Sequence, residues 1–122
     1  MTYESIALVP SQKAPGVTYS IARMSFGRRM DLARRIRDLA KRIEFLEAGE
    51  KPEDKMDASI LRAEIDRLYV EWGLKAISGL IVDGAEATPL TLLEHGPEPL
   101  VREALQFIRS EIELSEEERK NS

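Results

Sequence analysis

The spacing of apolar residues changes from a period of two to a helical period after residue 24. Residues 2–10 and 16–24 are predicted to be strands, because β-forming side chains recur at alternate positions, as in Val17, Tyr19 and Ile21. The segment between them contains a Pro-Gly pair, which favours a turn and hence a β-hairpin. A lone hairpin is marginally stable in water, so we expect it to lie on the helices or to extend another sheet.

The first long helix is predicted to begin after the N-cap Ser25 and to run to about Ala48, with Gly49 as its C-cap. Its apolar residues recur at spacings of four and three and form one stripe along the helix. The stripe consists of Leu32, Ile36, Leu39, Ile43 and Leu46.

A charged connector leads to a second helix, which begins at Pro52 or Asp57 and ends near Trp72. Its apolar stripe has a matching period and consists of Leu61, Ile65, Leu68 and Trp72. Each stripe needs a partner and the connector is short, so the two helices are predicted to form an antiparallel helical hairpin.

Shorter elements are predicted after Gly73. The β-branched run 77–82 precedes the tight-turn pair Asp83-Gly84, and this pattern fits either a small hairpin or a folded loop. Thr88 is predicted to cap a short helix that has proline at its first position and glycine after its end.

The last helix is predicted to run from Pro97 to about Ile112. Its inward-facing residues are expected to be Leu100, Ala104, Phe107 or Ile108, and Ile112. Ser115 and Glu118 have the spacing of a capping box for a final polar turn, and the charged tail after Leu114 is expected to fray.

Taken together, these elements predict an α+β fold in a single domain of 122 residues. Residues 1–24 would form the N-terminal β-hairpin, and residues 25–74 the antiparallel helical hairpin. Residues 75–122 would supply a short turn or β segment and the C-terminal helices.

Composition narrows the functional classes. The chain is 43% hydrophobic and 33% charged, which is typical of a globular protein. It contains no cysteine, so disulfides, thiolate catalysis and cysteine-based zinc sites are excluded. A net charge of −4 argues against a dedicated nucleic-acid-binding protein. We find neither an export signal nor a membrane-spanning run, so a cytoplasmic location is expected.

Candidate catalytic chemistry is sparse, and no cofactor or metal is predicted. His95 is the only histidine, and it is expected to lie at the end of the short helix, where partial positive charge suits the helix dipole. The carboxylates are dispersed rather than grouped as metal ligands. No Gly-rich phosphate loop or nucleophile motif occurs, so the chain is not expected to be an enzyme.

A basic face on the first helix is the sharpest local charge pattern. It consists of Arg28, Arg29, Arg34, Arg35, Arg37, Lys41 and Arg42. Arginines could bind phosphates, but the interpretation we favour is a solvated face that meets nearby acids or an acidic protein partner.

The aromatic residues at the end of the second helix have two interpretations. Core packing is favoured for Trp72, because a buried aromatic of this size contributes several kcal/mol, on the order of 25 cal/mol per Å² buried. The alternative is a contact hot spot for a partner. Tyr69 lies one position off the apolar row and is the better candidate for an exposed aromatic.

The turn and cap motifs of the second half carry a resemblance to a known family. The order Trp72-Gly73, Asp83-Gly84, Thr88-Pro89 and Gly96-Pro97-Glu98, after a strand pair and a basic helix, resembles small bacteriophage and prophage tail assembly chaperones.

This resemblance implies a non-enzymatic assembly factor in the cytoplasm of a bacterial host. It would bind a tape-measure or tail-tube protein during morphogenesis, and self-association is left open. The expected contact residues are Tyr69, Trp72, Arg28, Arg34 and Arg35. The alternative is a small nucleic-acid-associated or regulatory module that uses the basic first helix.

Overall fold

The computed structural model describes the backbone of residues 1–121 and the side chains of residues 1–114. The elements follow in this order: β1 (Ile6–Pro10), β2 (Thr18–Ala22), α1 (Phe26–Glu47), α2 (Pro52–Gly73), β3 (Leu74–Ser78), β4 (Ile81–Val82), β5 (Ala85–Glu86), α3 (Pro89–His95) and α4 (Glu98–Asn121). This order confirms the predicted α+β class, because a strand pair precedes two long helices, short strands and a C-terminal helix.

A three-stranded antiparallel sheet contains the predicted N-terminal hairpin. β1 pairs with β2, and β3 pairs with the other side of β2, which gives the order β1-β2-β3. Tyr19 and Ile77 are opposite each other in the β2–β3 pair, and both are buried. The hairpin therefore gains a third strand, β3, from the residues that directly follow α2. The sequence pattern placed its β-branched run later, at residues 77–82.

The segment after β3 forms the small hairpin rather than the loop. β4 pairs with β5 across Asp83 and Gly84, whose φ angles of 51° and 82° suit a two-residue turn of type I′. The prediction for α3 is also confirmed, because the Thr88 hydroxyl accepts a hydrogen bond of 3.2 Å from the Thr91 N–H and Pro89 begins the helix.

The predicted end of α4 and the predicted C-cap residue of α1 are wrong, whereas α1 ends at Glu47, close to the predicted Ala48. α4 continues past Ile112 to Asn121, because residues 113–121 contain neither glycine nor proline to stop it. The C-cap of α1 is Ala48, whose right-handed φ of −72° makes no use of the freedom of Gly49. The helical backbone passes through Ser115 without a break, so Ser115 is not the N-cap of a separate final turn, contrary to the prediction. The side chains of the predicted capping box and of the tail lie outside the described residues.

The chain divides into two compact units. Unit 1 combines residues 1–24 with the chain from Tyr69 onward, and unit 2 is residues 25–68. The buried apolar residues of unit 1 are Val17, Tyr19, Ile21, Ala22, Met24, Val70, Trp72, Leu74, Ile77, Ala87, Leu92, Leu100, Ala104, Leu105 and Ile108. On α4, Ile108 rather than Phe107 is the fully buried member of the predicted pair.

Unit 2 is the helical hairpin of α1 and most of α2. Ser25 caps α1 as predicted, and α2 begins at the earlier of its two predicted starts. Leu32, Ala58 and Leu61 are its buried apolar side chains. The other members of the two stripes within this unit are half-buried: Ile36, Leu39, Ile43, Leu46, Ile65 and Leu68.

Candidate protein-binding cleft

A cleft of about 560 Å³ lies between the two helices of unit 2. Four residues of α1 and four of α2 line it: Lys41, Arg42, Phe45, Leu46, Asp57, Ile60, Leu61 and Glu64. We call this feature the hairpin cleft. A connector of only four residues joins these two helices, which line one cleft, so the chain must reverse there and the early lining residues of α1 lie towards the late ones of α2. The hairpin is therefore antiparallel, as predicted.

The centre of the hairpin cleft is apolar and open to solvent. Leu61 is buried and Leu46 is half-buried, whereas Phe45 is 80% exposed and Ile60 is 56% exposed. Exposed apolar groups scattered singly are ordinary, but two large ones facing a shared cleft offer anchors for a partner.

The two helices bring charges of opposite sign to the lining of the cleft. Lys41 and Arg42 lie on the α1 side, and Asp57 and Glu64 lie on the α2 side. All four are exposed. An ion pair between Glu47 of α1 and Arg62 of α2 also joins the two helices, and neither residue lines the cleft.

The basic residues expected to contact a partner lie on α1 but do not line the cleft. Arg34 is exposed, and the Arg35 Nε lies 3.1 Å from Asp31 Oδ2. Arg28 is half-buried. Burial lowers the pKa of its guanidinium, Asp31 opposes this shift and Arg35 adds to it. Of these three arginines, Arg28 is half-buried and Arg35 is paired with Asp31, so Arg34 is the one most accessible to a partner.

The aromatic residues Tyr69 and Trp72 belong to unit 1. Trp72 is only 2% exposed, as the core-packing interpretation predicts, so it offers no surface to a partner in this conformation. Gly73 follows it closely against α4, where an added Cβ would meet the Ile108 side chain at 2.8 Å. Tyr69 is half-buried, and Arg109 Cζ lies 5.7 Å from its ring centre.

Unit 1 contains a buried carboxylate that the sequence pattern does not predict. Glu103 of α4 is 8% exposed and accepts hydrogen bonds from the N–H of Gln12 at 2.9 Å and of Lys13 at 3.2 Å. It also accepts one from the Tyr19 hydroxyl at 2.8 Å and one from the Ser11 hydroxyl. We call these five residues the Glu103 cluster.

Electrostatics hold the Glu103 cluster in one protonation state. Burial acts to raise the pKa of Glu103, but the hydrogen bonds from Ser11, Tyr19, Gln12 and Lys13 outweigh it and the pKa is lowered. Burial, followed by the hydrogen bond to Glu103, raises the pKa of Tyr19 to about 12. A carboxylate thus faces a neutral phenol across the physiological range. The arrangement fixes the turn between β1 and β2 against α4.

The described residues contain no group of three or more histidine, cysteine, aspartate or glutamate side chains placed to hold a metal ion. His95 is exposed in the last turn of α3, where it was predicted. Across the described part of the chain, none of the helices combines the length and apolar character needed to cross a bilayer.

No protein-family model, curated protein or solved structure matches this chain. The resemblance to tail assembly chaperones therefore depends on the order of elements and motifs in the sequence alone.

Proposed function

We propose that this chain is a non-enzymatic assembly factor of a phage or prophage tail, which binds another tail protein through the hairpin cleft. The observation that carries the proposal is the set of apolar side chains that line the open cleft, of which Phe45 and Ile60 are exposed. The partner would be a tape-measure or tail-tube protein, bound in the cytoplasm of the bacterial host.

The physical argument is that the hairpin leaves part of its apolar surface for another molecule. Complete burial of a large apolar side chain contributes about 1.5–3 kcal/mol, and most of that gain is unused at Phe45 and Ile60. A long helical partner could cover both residues at once, and apolar anchors between helices are a common mode of peptide recognition. An assembly factor needs this kind of reversible contact surface and needs no reactive group.

Co-purification from cells tests the proposal. The chain would be co-expressed with the tail-tube and tape-measure proteins encoded near its gene, and soluble complexes would be isolated through a tag on the chain. We expect a stable complex with one of them, and we expect Phe45→Ala to reduce its recovery at least several-fold.

Phe26→Ala is the matched control, because Phe26 lies on the same helix, is 83% exposed and does not line the cleft. Its complex should be recovered like that of the unaltered chain. A gene that lies away from tail genes, or a complex that survives Phe45→Ala together with Ile60→Ala, would contradict the proposal.

A further inference from the structure

We propose that the hairpin cleft is a directional receptor for one amphipathic helix with an acidic flank and a basic flank. The inference rests on the proposed function and specifies the chemistry of its partner. Opposite charges on the two sides of the cleft carry it, because they distinguish the two ways in which a helix can lie between α1 and α2.

The dimensions of the hairpin cleft fit a short helical segment. Its lining extends from Lys41 to Leu46 on α1 and from Asp57 to Glu64 on α2. At 1.5 Å per residue the longer stretch is about 10 Å, or about two helical turns. A helix placed there would complete a three-helix arrangement and would satisfy its own backbone, which an extended strand between two helices could not do.

The apolar part of the partner follows from the apolar part of the cleft. Phe45 of α1 and Ile60 of α2 are exposed, and their neighbours Leu46 and Leu61 are less exposed. Leucine, isoleucine, methionine or phenylalanine at positions i, i+3 or i+4, and i+7 of a partner helix would lie in one row against these four residues.

The charged flanks of the partner follow from the rims. An acidic flank would face Lys41 and Arg42, and a basic flank would face Asp57 and Glu64. If such a helix is bound in the reverse direction, its two flanks exchange places. The acidic flank then faces the acidic residues of α2 and the basic flank faces the basic residues of α1, which is unfavourable. The apolar row therefore supplies attachment, and the rims select one of two directions.

Synthetic helices of about three turns provide the test, with one shared apolar row and three flank patterns. One peptide carries glutamate on one flank and lysine on the other, and the two controls carry glutamate on both or lysine on both. We expect the mixed peptide to bind at least five-fold more tightly than either control at low salt, with a smaller difference at high salt.

A nitroxide on the N-terminus of the mixed peptide reports its direction by broadening nearby amide signals. We expect broadening at one end of the cleft only, either near Leu46 and Asp57 or near Lys41 and Glu64. The charge-exchanged variant Lys41→Glu, Arg42→Glu, Asp57→Lys, Glu64→Lys should keep the affinity and move the broadening to the opposite end. Circular dichroism of the variant verifies that its helices are intact.

Equal affinities for all three peptides, broadening at both ends, or no binding of any helix would overturn this inference. So would a homodimer, detected by mass measurement, that Phe45→Ala dissociates and the mixed peptide does not, because a second copy would then occupy the cleft. Co-purification of a tail protein is scored separately. A tail complex without helix binding would refute only the directional receptor, and helix binding without a tail complex would refute only the assembly role.

Discussion

Replacing Glu103 with alanine removes a carboxylate that accepts hydrogen bonds from four groups, namely the hydroxyls of Ser11 and Tyr19 and the N–H groups of Gln12 and Lys13. The donors remain in place, so the cost depends on how many of them find another acceptor. Gln12 and Lys13 are exposed, and water can reach their N–H groups.

The expected loss of unfolding free energy can be worked from these contacts. Hydrogen bonds to a charged group contribute about 1.5–3 kcal/mol each, but a donor that can form a hydrogen bond to water instead loses little of this energy when the carboxylate is removed. The Tyr19 hydroxyl is fully buried and retains the Leu100 carbonyl oxygen at 3.3 Å as a weaker acceptor. We therefore expect Glu103→Ala to cost about 2–4 kcal/mol, a large share of the roughly 5–15 kcal/mol that stabilises a typical domain.

Urea unfolding followed by tryptophan fluorescence measures this loss. Trp72 is the only tryptophan and is buried in the same unit, so its emission reports the unfolding of unit 1. Glu98→Ala is the matched control on α4, because Glu98 is exposed and its ion pair with Arg102, at 3.2 Å, lies on the surface. Its cost should stay below about 1 kcal/mol.

Acid provides an independent check of the same reasoning. The pKa of Glu103 is lowered in the folded state, so its contribution is complete above the ordinary value of 4.5 and is lost as the pH falls through the lowered value. The stability difference between the unaltered chain and Glu103→Ala should therefore shrink in acid. A cost below about 1 kcal/mol at neutral pH, or a difference that grows in acid, would refute the assigned role.

Three further outcomes follow from the structure. The pKa of Tyr19 is raised from 10.0 to about 12, so its contribution to folding stability is complete below pH 10.0 and is lost as the pH rises towards 12. The urea midpoint of the unaltered chain should therefore decrease between pH 10.0 and 12, and that of Tyr19→Phe should decrease less. Leu32→Ala, at a buried position, should lower the free energy of unfolding by about 2–5 kcal/mol, measured by following the helical circular dichroism signal in urea. Leu39→Ala, at a half-buried position, should lower it less. The reverse order would mean that the buried and exposed faces of α1 are misassigned. Arg34→Ala with Arg35→Ala should change the unfolding free energy by no more than about 1 kcal/mol, and fluorescence anisotropy should detect no duplex DNA binding at tens of micromolar protein; salt-sensitive binding that the double variant loses would favour the nucleic-acid alternative.

Local signals predicted the elements well because each depends on neighbouring residues. Ser25 and Thr88 cap their helices, and Asp83-Gly84 forms its turn, through contacts a few residues apart. The end of α4 was harder to predict, because an amphipathic stripe can stop while the helical backbone continues through polar helix formers.

The Glu103 cluster and the hairpin cleft could not be predicted, because both depend on contacts between segments that are separated along the chain. Glu103 lies beside Ala104 on the buried face of α4, which was a weak signal, but its loop partners Gln12 and Lys13 are separated from it by 91 and 90 residues. The hairpin cleft depends on Phe45 and Ile60, which flank the predicted apolar rows. Periodicity locates those rows but does not determine how closely two helices approach.

The split of unit 1 along the chain has a consequence for synthesis on the ribosome. β1 and β2 are translated before unit 2, whereas β3, the neighbour of β2, follows unit 2, and the α4 residues that pack against β2 come later still. At about 5–20 residues per second, Ile108 is added several seconds after Ala22. During that interval the first strand pair is a lone hairpin of marginal stability, whereas both helices of unit 2 are already complete. The hairpin cleft proposed to bind a partner is therefore synthesised before the three-stranded sheet can form. A nascent chain could bind a partner through this cleft before its N-terminal strands are packed in the core of unit 1.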